Sequence, residues 1–419
     1  MQACSSSAND RHEHSEEATR PKLKEIFRAH ANEYLSADIR SSHEMLTMRD
    51  ILRCRTAQLG GYLEKCGSCG HAEYRYNSCS NRNCPTCQWL RQVQWGIRQT
   101  IGFLPIPHHQ AVMTLPGNLR GIARVNKKLV HTLMMRVASE TVAELVRQRY
   151  GAIVGLVVVL HTWNRELNYH PHVHLVISCG GLSVDGQHWV SISRDFLVSI
   201  EDLRSTFRSK MVEALIDAYH QKKLKLPATL KIPGSFCRLM RQSSAERWIV
   251  WVEAPIGMSL PIVKYLSQYV NRIGISNSRL ISFESGKVTF ETRDGQTLTL
   301  GGAQFIERYM QHIVPKGFHK VRHYGLYSPK SRKADLGRAR SLVPQHEQVI
   351  VETATAGDDA PEPWQELMTR LTGRDPRCCP KCGTQMERTP FGPSRFGCRP
   401  SVVASITSKS CEAPAANTA

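Results

Sequence analysis

The stretch His170-Pro171-His172-Val173-His174-Leu175-Val176-Ile177 limits what this chain can fold into more than any other. On a strand, alternation throws His172 and His174 onto one face and Val173 onto the other, so two imidazoles converge while the backbone stays anchored in a core. The upstream run Ile153-Val154-Gly155-Leu156-Val157-Val158-Val159-Leu160 reads as a buried neighbouring strand, a rigid platform for the pair. Histidines that are merely packed or solvated give the same local pattern. A second element must separate these readings.

That element is Lys264-Tyr265-Leu266-Ser267-Gln268-Tyr269, inside a helix predicted from Ser259 to Gly274. Pro261 suits a first turn, Ser259 a cap and Gly274 a stop, so Tyr265 and Tyr269, at i and i+4, share one face. Core packing alone accounts for such a pair. Beside a paired-histidine strand, it reads as a nucleophile helix facing a metal.

Bulk properties narrow the partners. A chain of 419 residues exceeds one ordinary core, and two or three domains are expected. Lys and Arg number 55 against 36 acidic residues, and the net charge of +19 fits a polyanionic partner, without choosing between DNA, RNA and a membrane surface. No apolar run approaches the roughly twenty residues that span a bilayer, and the polar start lacks the apolar region of a signal peptide. A cytosolic chain away from the membrane is the expectation. There the 14 cysteines, several in CxxC pairs, point to thiolate metal binding rather than disulfides.

Cys66-x2-Cys69 and Cys84-x2-Cys87, fourteen residues apart, have the spacing of a four-thiolate structural zinc site. Cys54, Cys79 and His71 are spare donors, which leaves open a second ion or a different set of four. A weaker cluster, Cys378, Cys379 and Cys382 with Cys398 beyond, is compatible with half a zinc ribbon. Arg75, Arg82 and Arg91, among Tyr74, Tyr76 and Trp89, suit phosphate contact and base stacking by the finger. Lys316, His319, Arg322 and His323 around Gly317 form a second basic stretch suited to a nucleic-acid backbone.

The pattern predicts a polar residues 1–20 stretch without structure, then a helical zinc-binding DNA-recognition region over 21–100. A catalytic domain over 101–330 follows, then a basic segment and linker over 331–370 and a cysteine-containing tail over 371–419. Within the catalytic domain, strands are expected at His109–Leu115, at the two runs above and at Trp248–Val252. Helices are expected at Val125–Tyr150 and Ser199–Lys225, and a β-ribbon at Ile281–Leu300 with turns at Ser285-Gly286 and Asp294-Gly295. The class is α+β.

Several of these stretches, in order, resemble the two-tyrosine HUH rolling-circle transposases of the insertion sequence ninety-one family, which carry an amino-terminal zinc-binding region. They are Leu59-Gly60-Gly61 with the cysteines up to Cys87, His161-Thr162-Trp163, His170 to His174, Tyr265-Leu266 to Ile275-Ser276-Asn277, and Val314 to Gly325. The resemblance extends to Cys54 and Cys79. It departs where the family often has histidines, at Tyr62 and Asn83, and at Asn271, where histidine is common before Arg272.

The resemblance implies an HUH endonuclease-like antiparallel sheet with helices, preceded by a small zinc-binding domain. It implies that Tyr265 or Tyr269 attacks single-stranded DNA at element ends, leaving a 5′-phosphotyrosine and a free 3′-hydroxyl for transfer to target DNA. His172 and His174 would hold a catalytic Mg2+ or Mn2+, and Gln268 and Asn271 are both candidates for a third ligand. Arg272 joins the DNA-binding residues, and zinc is the structural ion. Plasmid or phage replication initiators and relaxases share this chemistry, and a zinc-containing DNA-binding protein without catalysis is the reading from another class.

Overall fold

The computed structural model describes residues 20–36, 41–87, 94, 102–193, 197–256, 274–293, 295–331, 334–349 and 363–393. The chain divides into two compact units, one holding residues up to Cys54 and Cys79–Trp364, the other Arg55–Ser78 and everything from Gln365 on.

The larger unit opens with helices α1 (Leu23–Ser36) and α2 (Ser42–Arg53). A capping box starts α2: the Ser41 hydroxyl accepts from the Glu44 N–H while the Glu44 carboxylate accepts from the Ser41 N–H, satisfying two otherwise unpaired donors. The frame of the unit is a six-stranded antiparallel sheet. Its order is β11 (Val321–Gly325), β4 (Ala152–Trp163), β5 (Tyr169–Ser183), β3 (His108–Thr114), β7 (Val250–Ile256), with β6 (Trp189–Ser191) pairing β5.

Alternation along the central hairpin sorts its side chains into two layers. Val154, Leu156, Val158 and Leu160 of β4 and Val173, Leu175 and Ile177 of β5 pack with Val130, Met134, Val137 and Val142 of α4 (Lys127–Tyr150) and Phe207, Met211 and Leu215 of α5 (Ile200–His220). Val157, Val159 and Val176 face the other way, onto Phe103, Leu104, Ile106, Leu326, Tyr327 and α8 (Asp335–Leu342). A strand covered on both faces must be apolar at every position over that length, which is why β4 reads as an unbroken run.

The helix expected at Val125–Tyr150 is α4, and a further short helix precedes it. A short α3 (Arg120–Val125) ends at Asn126, whose backbone leaves helical geometry and whose side-chain amide donates to Ile122 and Lys225 carbonyls before α4 begins. The strand expected at His109–Leu115 is β3, and the expected β-ribbon is the meander β8 (Leu280–Glu284), β9 (Lys287–Glu291), β10 (Thr297–Gly301). Ser285 and Gly286 both have positive φ, 50° and 73°, the backbone a tight hairpin turn requires. The meander is followed by α7 (Gly302–Met310), which lies against α1, with the Phe27 and Tyr309 rings edge to face at 5.5 Å.

The smaller unit is a three-stranded antiparallel sheet in the order β12 (Glu387–Phe391), β1 (Gly61–Lys65), β2 (Ala72–Tyr76), with most of α9 (Trp364–Thr372). Gly61 is obligatory at the start of the central strand, because a Cβ there would come within 2.3 Å of the Arg75 carbonyl oxygen. The chain enters this unit immediately after Cys54 and leaves it immediately before Cys79.

Candidate functional site

Three histidines meet at the turn end of the β4–β5 hairpin. The antiparallel register sets His161 opposite His172 and Val159 opposite His174, so all three imidazoles continue the alternation of Val157 and Val159 on one face. Their ring centroids are 4.6–5.4 Å apart, and one donor nitrogen from each lies within 4.8 Å of the others. His161 and His174 are buried and His172 is partly so.

The register comes from the turn. The Asn164 side-chain oxygen accepts the N–H groups of Glu166 and Asn168, at 3.1 and 2.8 Å, closing a loop in which Leu167 takes a left-handed φ of 62°. A slip of one residue would turn His172 and His174 into the opposite layer.

Neighbouring groups prepare the cluster for a cation. His172 Nδ1 donates to the His170 carbonyl at 2.8 Å, which leaves its Nε2 lone pair for the centre. Burial lowers the His172 pKa, favouring the neutral ring that ligation needs. His170 stands one layer back: its Nδ1 accepts from the Arg120 guanidinium at 2.6 Å, and burial, with His172 and Arg120 nearby, pulls it down to about 4. Trp163 stacks on His161 at 4.8 Å, and the Lys320 ammonium lies 5.3 Å from the Trp163 ring centre. Burial and the Arg82 charge pull Lys320 down to about 8.

The cysteines form two further clusters. Cys54, Cys79, Cys84 and Cys87 bring their sulfurs within 4.8 Å of one another, as do Cys66, Cys69, Cys379 and Cys382. This corrects the quartet read from spacing, Cys66, Cys69, Cys84 and Cys87. The two CxxC pairs fall in different units: Cys84 and Cys87 close with the nearby spare donors Cys54 and Cys79, and Cys66 and Cys69 with the distant Cys379 and Cys382.

In the first cluster Cys54 caps α2. The Cys79 N–H donates to Cys54 Sγ at 3.5 Å and the Asn81 N–H to Cys79 Sγ at 3.4 Å, bonds that stabilise thiolate charge. Hydrogen bonds from Cys54, Cys79 and Cys84 hold the Cys87 thiol far below its usual range. The turn is braced on the rest of the unit: Asn81 donates to Asp50, Tyr309 donates to the Asn83 carbonyl, and Arg82 donates to the Phe318 and Pro315 carbonyls.

Residues 155–335 match the family model Y2_Tnp, described as "Putative transposase", and residues 26–115 match the transposase zinc-binding domain of IS91. The chain is 33% identical over 374 residues to the "Putative transposase y4qJ" of Sinorhizobium fredii, covering 86% of this chain and 93% of that protein. It is 26% identical over 370 residues to the transposase for insertion sequence element IS801 of Pseudomonas savastanoi pv. phaseolicola, covering 83% of each. The chain belongs to the IS91 family of transposases.

Its zinc-binding domain contains the whole first cysteine cluster and one half of the second; Cys379 and Cys382 lie beyond both matched segments. Of the residues expected to grip DNA in this transposase, Arg75 is paired with Glu64 at 3.3 Å and Glu73 at 2.9 Å, and Arg82 is spent on the carbonyls above. Lys316 and His319 are exposed. Strand alternation separates the other two: His323, opposite Val157, shares the histidine layer, while Arg322 turns to the helical layer, donating to Thr132 of α4 and covering the Phe318 ring. Among the described residues, no helix is long and apolar enough to cross a membrane.

Tyr265, Gln268, Tyr269, Asn271, Arg272, Arg91 and Trp89 lie outside the described residues. The ends of the tyrosine segment are described: Ile256 closes β7 opposite His108, and Gly274 lies against Leu167 of the hairpin turn and His312, where a Cβ would come within 3.1–3.3 Å of both. Sequence reasoning did not assign a role to His161 or Lys320. The available signal was the hairpin: once Asn164–Asn168 is taken as the turn, His161 and His172 are cross-strand neighbours.

Proposed function

We propose that this transposase cuts and rejoins one DNA strand through tyrosine, using a divalent cation on the His161, His172 and His174 face. The observation that carries the reading is the convergence of three imidazoles on one layer beside the turn against which Gly274 lies. From Ile256 to the histidine end, β3 and β5 run six residues, about 20 Å at 3.3 Å per residue. The 17 residues between Ile256 and Gly274 are enough to bridge that distance.

The ion would withdraw charge from the scissile phosphate and hold it in line with the phenol. A tyrosine oxygen forms the new bond to phosphorus as the bond to the 3′ oxygen breaks; the phenol gives up its proton, and the departing 3′ oxygen takes one. The product is a 5′-phosphotyrosine and a 3′-hydroxyl, with the bond energy kept for rejoining. A second phenol one helical turn away then serves the next strand. Three imidazoles suit Mn2+ better than Mg2+, which prefers oxygen ligands, and His161 supplies the third ligand sought at Gln268 or Asn271. Lys320 adds positive charge behind the Trp163 ring that stacks on His161.

Incubating the protein with end-labelled single-stranded oligonucleotides carrying element ends and Mn2+ tests this. A covalent protein–DNA band that needs the cation supports it. Retained cleavage in a Tyr265→Phe/Tyr269→Phe variant refutes the nucleophile assignment.

A further inference from the structure

We propose that Cys66, Cys69, Cys379 and Cys382 form a second structural zinc site that ties the two ends of the chain into one ribbon. The Cys66–Cys382 sulfurs are 3.4 Å apart and the Cys69–Cys379 sulfurs 3.5 Å. A disulfide needs about 2.05 Å, whereas four thiolates around zinc at about 2.3 Å lie roughly 3.8 Å from one another. The spacing is that of a shared ion.

Both halves are built alike, which is the independent sign of a metal knuckle. In Cys66-Gly67-Ser68-Cys69-Gly70-His71 the Cys66 N–H donates to the His71 carbonyl at 2.8 Å and the Gly70 N–H to the Cys66 carbonyl at 3.1 Å. In Cys379-Pro380-Lys381-Cys382-Gly383-Thr384 the Cys379 N–H donates to the Thr384 carbonyl at 2.8 Å and the Gly383 N–H to the Cys379 carbonyl at 2.9 Å. Gly70 and Gly383 both take a left-handed φ, 69° and 77°. Two segments more than three hundred residues apart thus adopt one turn and aim two sulfurs each at one point. Cys378 takes no part; it pairs through its backbone with Gln385 across the second knuckle.

Packing supplies the reason for a metal. Among the described residues, the hydrophobic cluster of this unit is Cys66, Cys379 and Met386, so two of its three members belong to the thiol quartet. The register that joins β1 to β2 and β12 ends at Lys65, opposite Ala72 and Glu387, where the knuckles begin. A sheet this small lacks the apolar burial to hold such distant segments together, and metal binding supplies that free energy.

Zinc content of the purified full-length protein, measured by elemental analysis with native mass spectrometry, tests the site. Two zinc ions per chain are expected. Cys379→Ser/Cys382→Ser should lose one, Cys66→Ser/Cys69→Ser should lose the same one, and the four changes combined should still retain one. Cys84→Ser/Cys87→Ser should lose the other. One zinc per chain, or a content indifferent to Cys379→Ser/Cys382→Ser, overturns the proposal. Stepwise chelation of the unmutated protein with alkylation mapping avoids any folding defect in the variants: Cys66, Cys69, Cys379 and Cys382 should lose protection together, and exposure of Cys66 and Cys69 in step with Cys84 and Cys87 instead would contradict it.

Discussion

His161 and His172 are held by different neighbours, the Trp163 ring and the His170 carbonyl, and that sets what the loss of each should do. His161 lies between the Trp163 ring and the other two imidazoles. His161→Ala should weaken Mn2+ binding at least about tenfold, as losses around metal centres do, while zinc content stays unchanged; manganese titration followed by electron paramagnetic resonance checks this. Buried histidines outside the cluster add to the acid sensitivity expected of the fold. His131, bonded to the Tyr169 hydroxyl at 2.9 Å, is pulled by burial, with Lys127 and Lys320 adding, down to about 3. Its unfolded value is near 6.5, so between those pH values the unfolded chain binds the extra proton. Stability contributed by the neutral ring is therefore complete above pH 6.5 and is lost as pH falls toward 3. His131→Gln should flatten the fall of melting temperature between pH 6.5 and 4.

The β4–β5 hairpin positions the site, and its fit against neighbours is tight. Gly155 lets the Tyr327 ring lie on β4, where Tyr327 bonds His108 at 2.6 Å and accepts the Leu104 N–H. A Cβ at Gly155 would approach that ring to 2.5 Å. Gly155→Ala should cost about 1–3 kcal/mol, the usual penalty of overpacking, read as a lower urea midpoint. The elements were legible because their signals are local: period-2 histidines, an unbroken apolar run, and Ser285-Gly286 at a turn. The third imidazole of the cluster was not legible, since His161 joins it through a register set by Asn164. The stop of α3 at Asn126 was hidden likewise, because its side chain is satisfied partly by Lys225, far along the chain.

For the whole molecule, the charge of +19 should make single-strand binding fall linearly in log K against log salt. Lys316→Ala should reduce that slope by about 0.7, the contribution of one phosphate contact on a single strand. Arg322→Ala should leave the slope alone and lower stability, since that guanidinium is bound to Thr132. Spacing misassigned the zinc quartet because four cysteines within a short window look complete, and nothing local shows that Cys66 and Cys69 find partners 310–316 residues away. The proposed function joins the parts in a single chemistry, a tyrosine made competent by the three-histidine face. Peptide mapping by mass spectrometry, after one turnover on single-stranded DNA with Mn2+, tests it most directly. The account predicts a DNA adduct on Tyr265 or Tyr269, absent from His161→Ala and His172→Ala/His174→Ala proteins of normal zinc content; an adduct on another residue, or one formed equally well without the histidines, would contradict it.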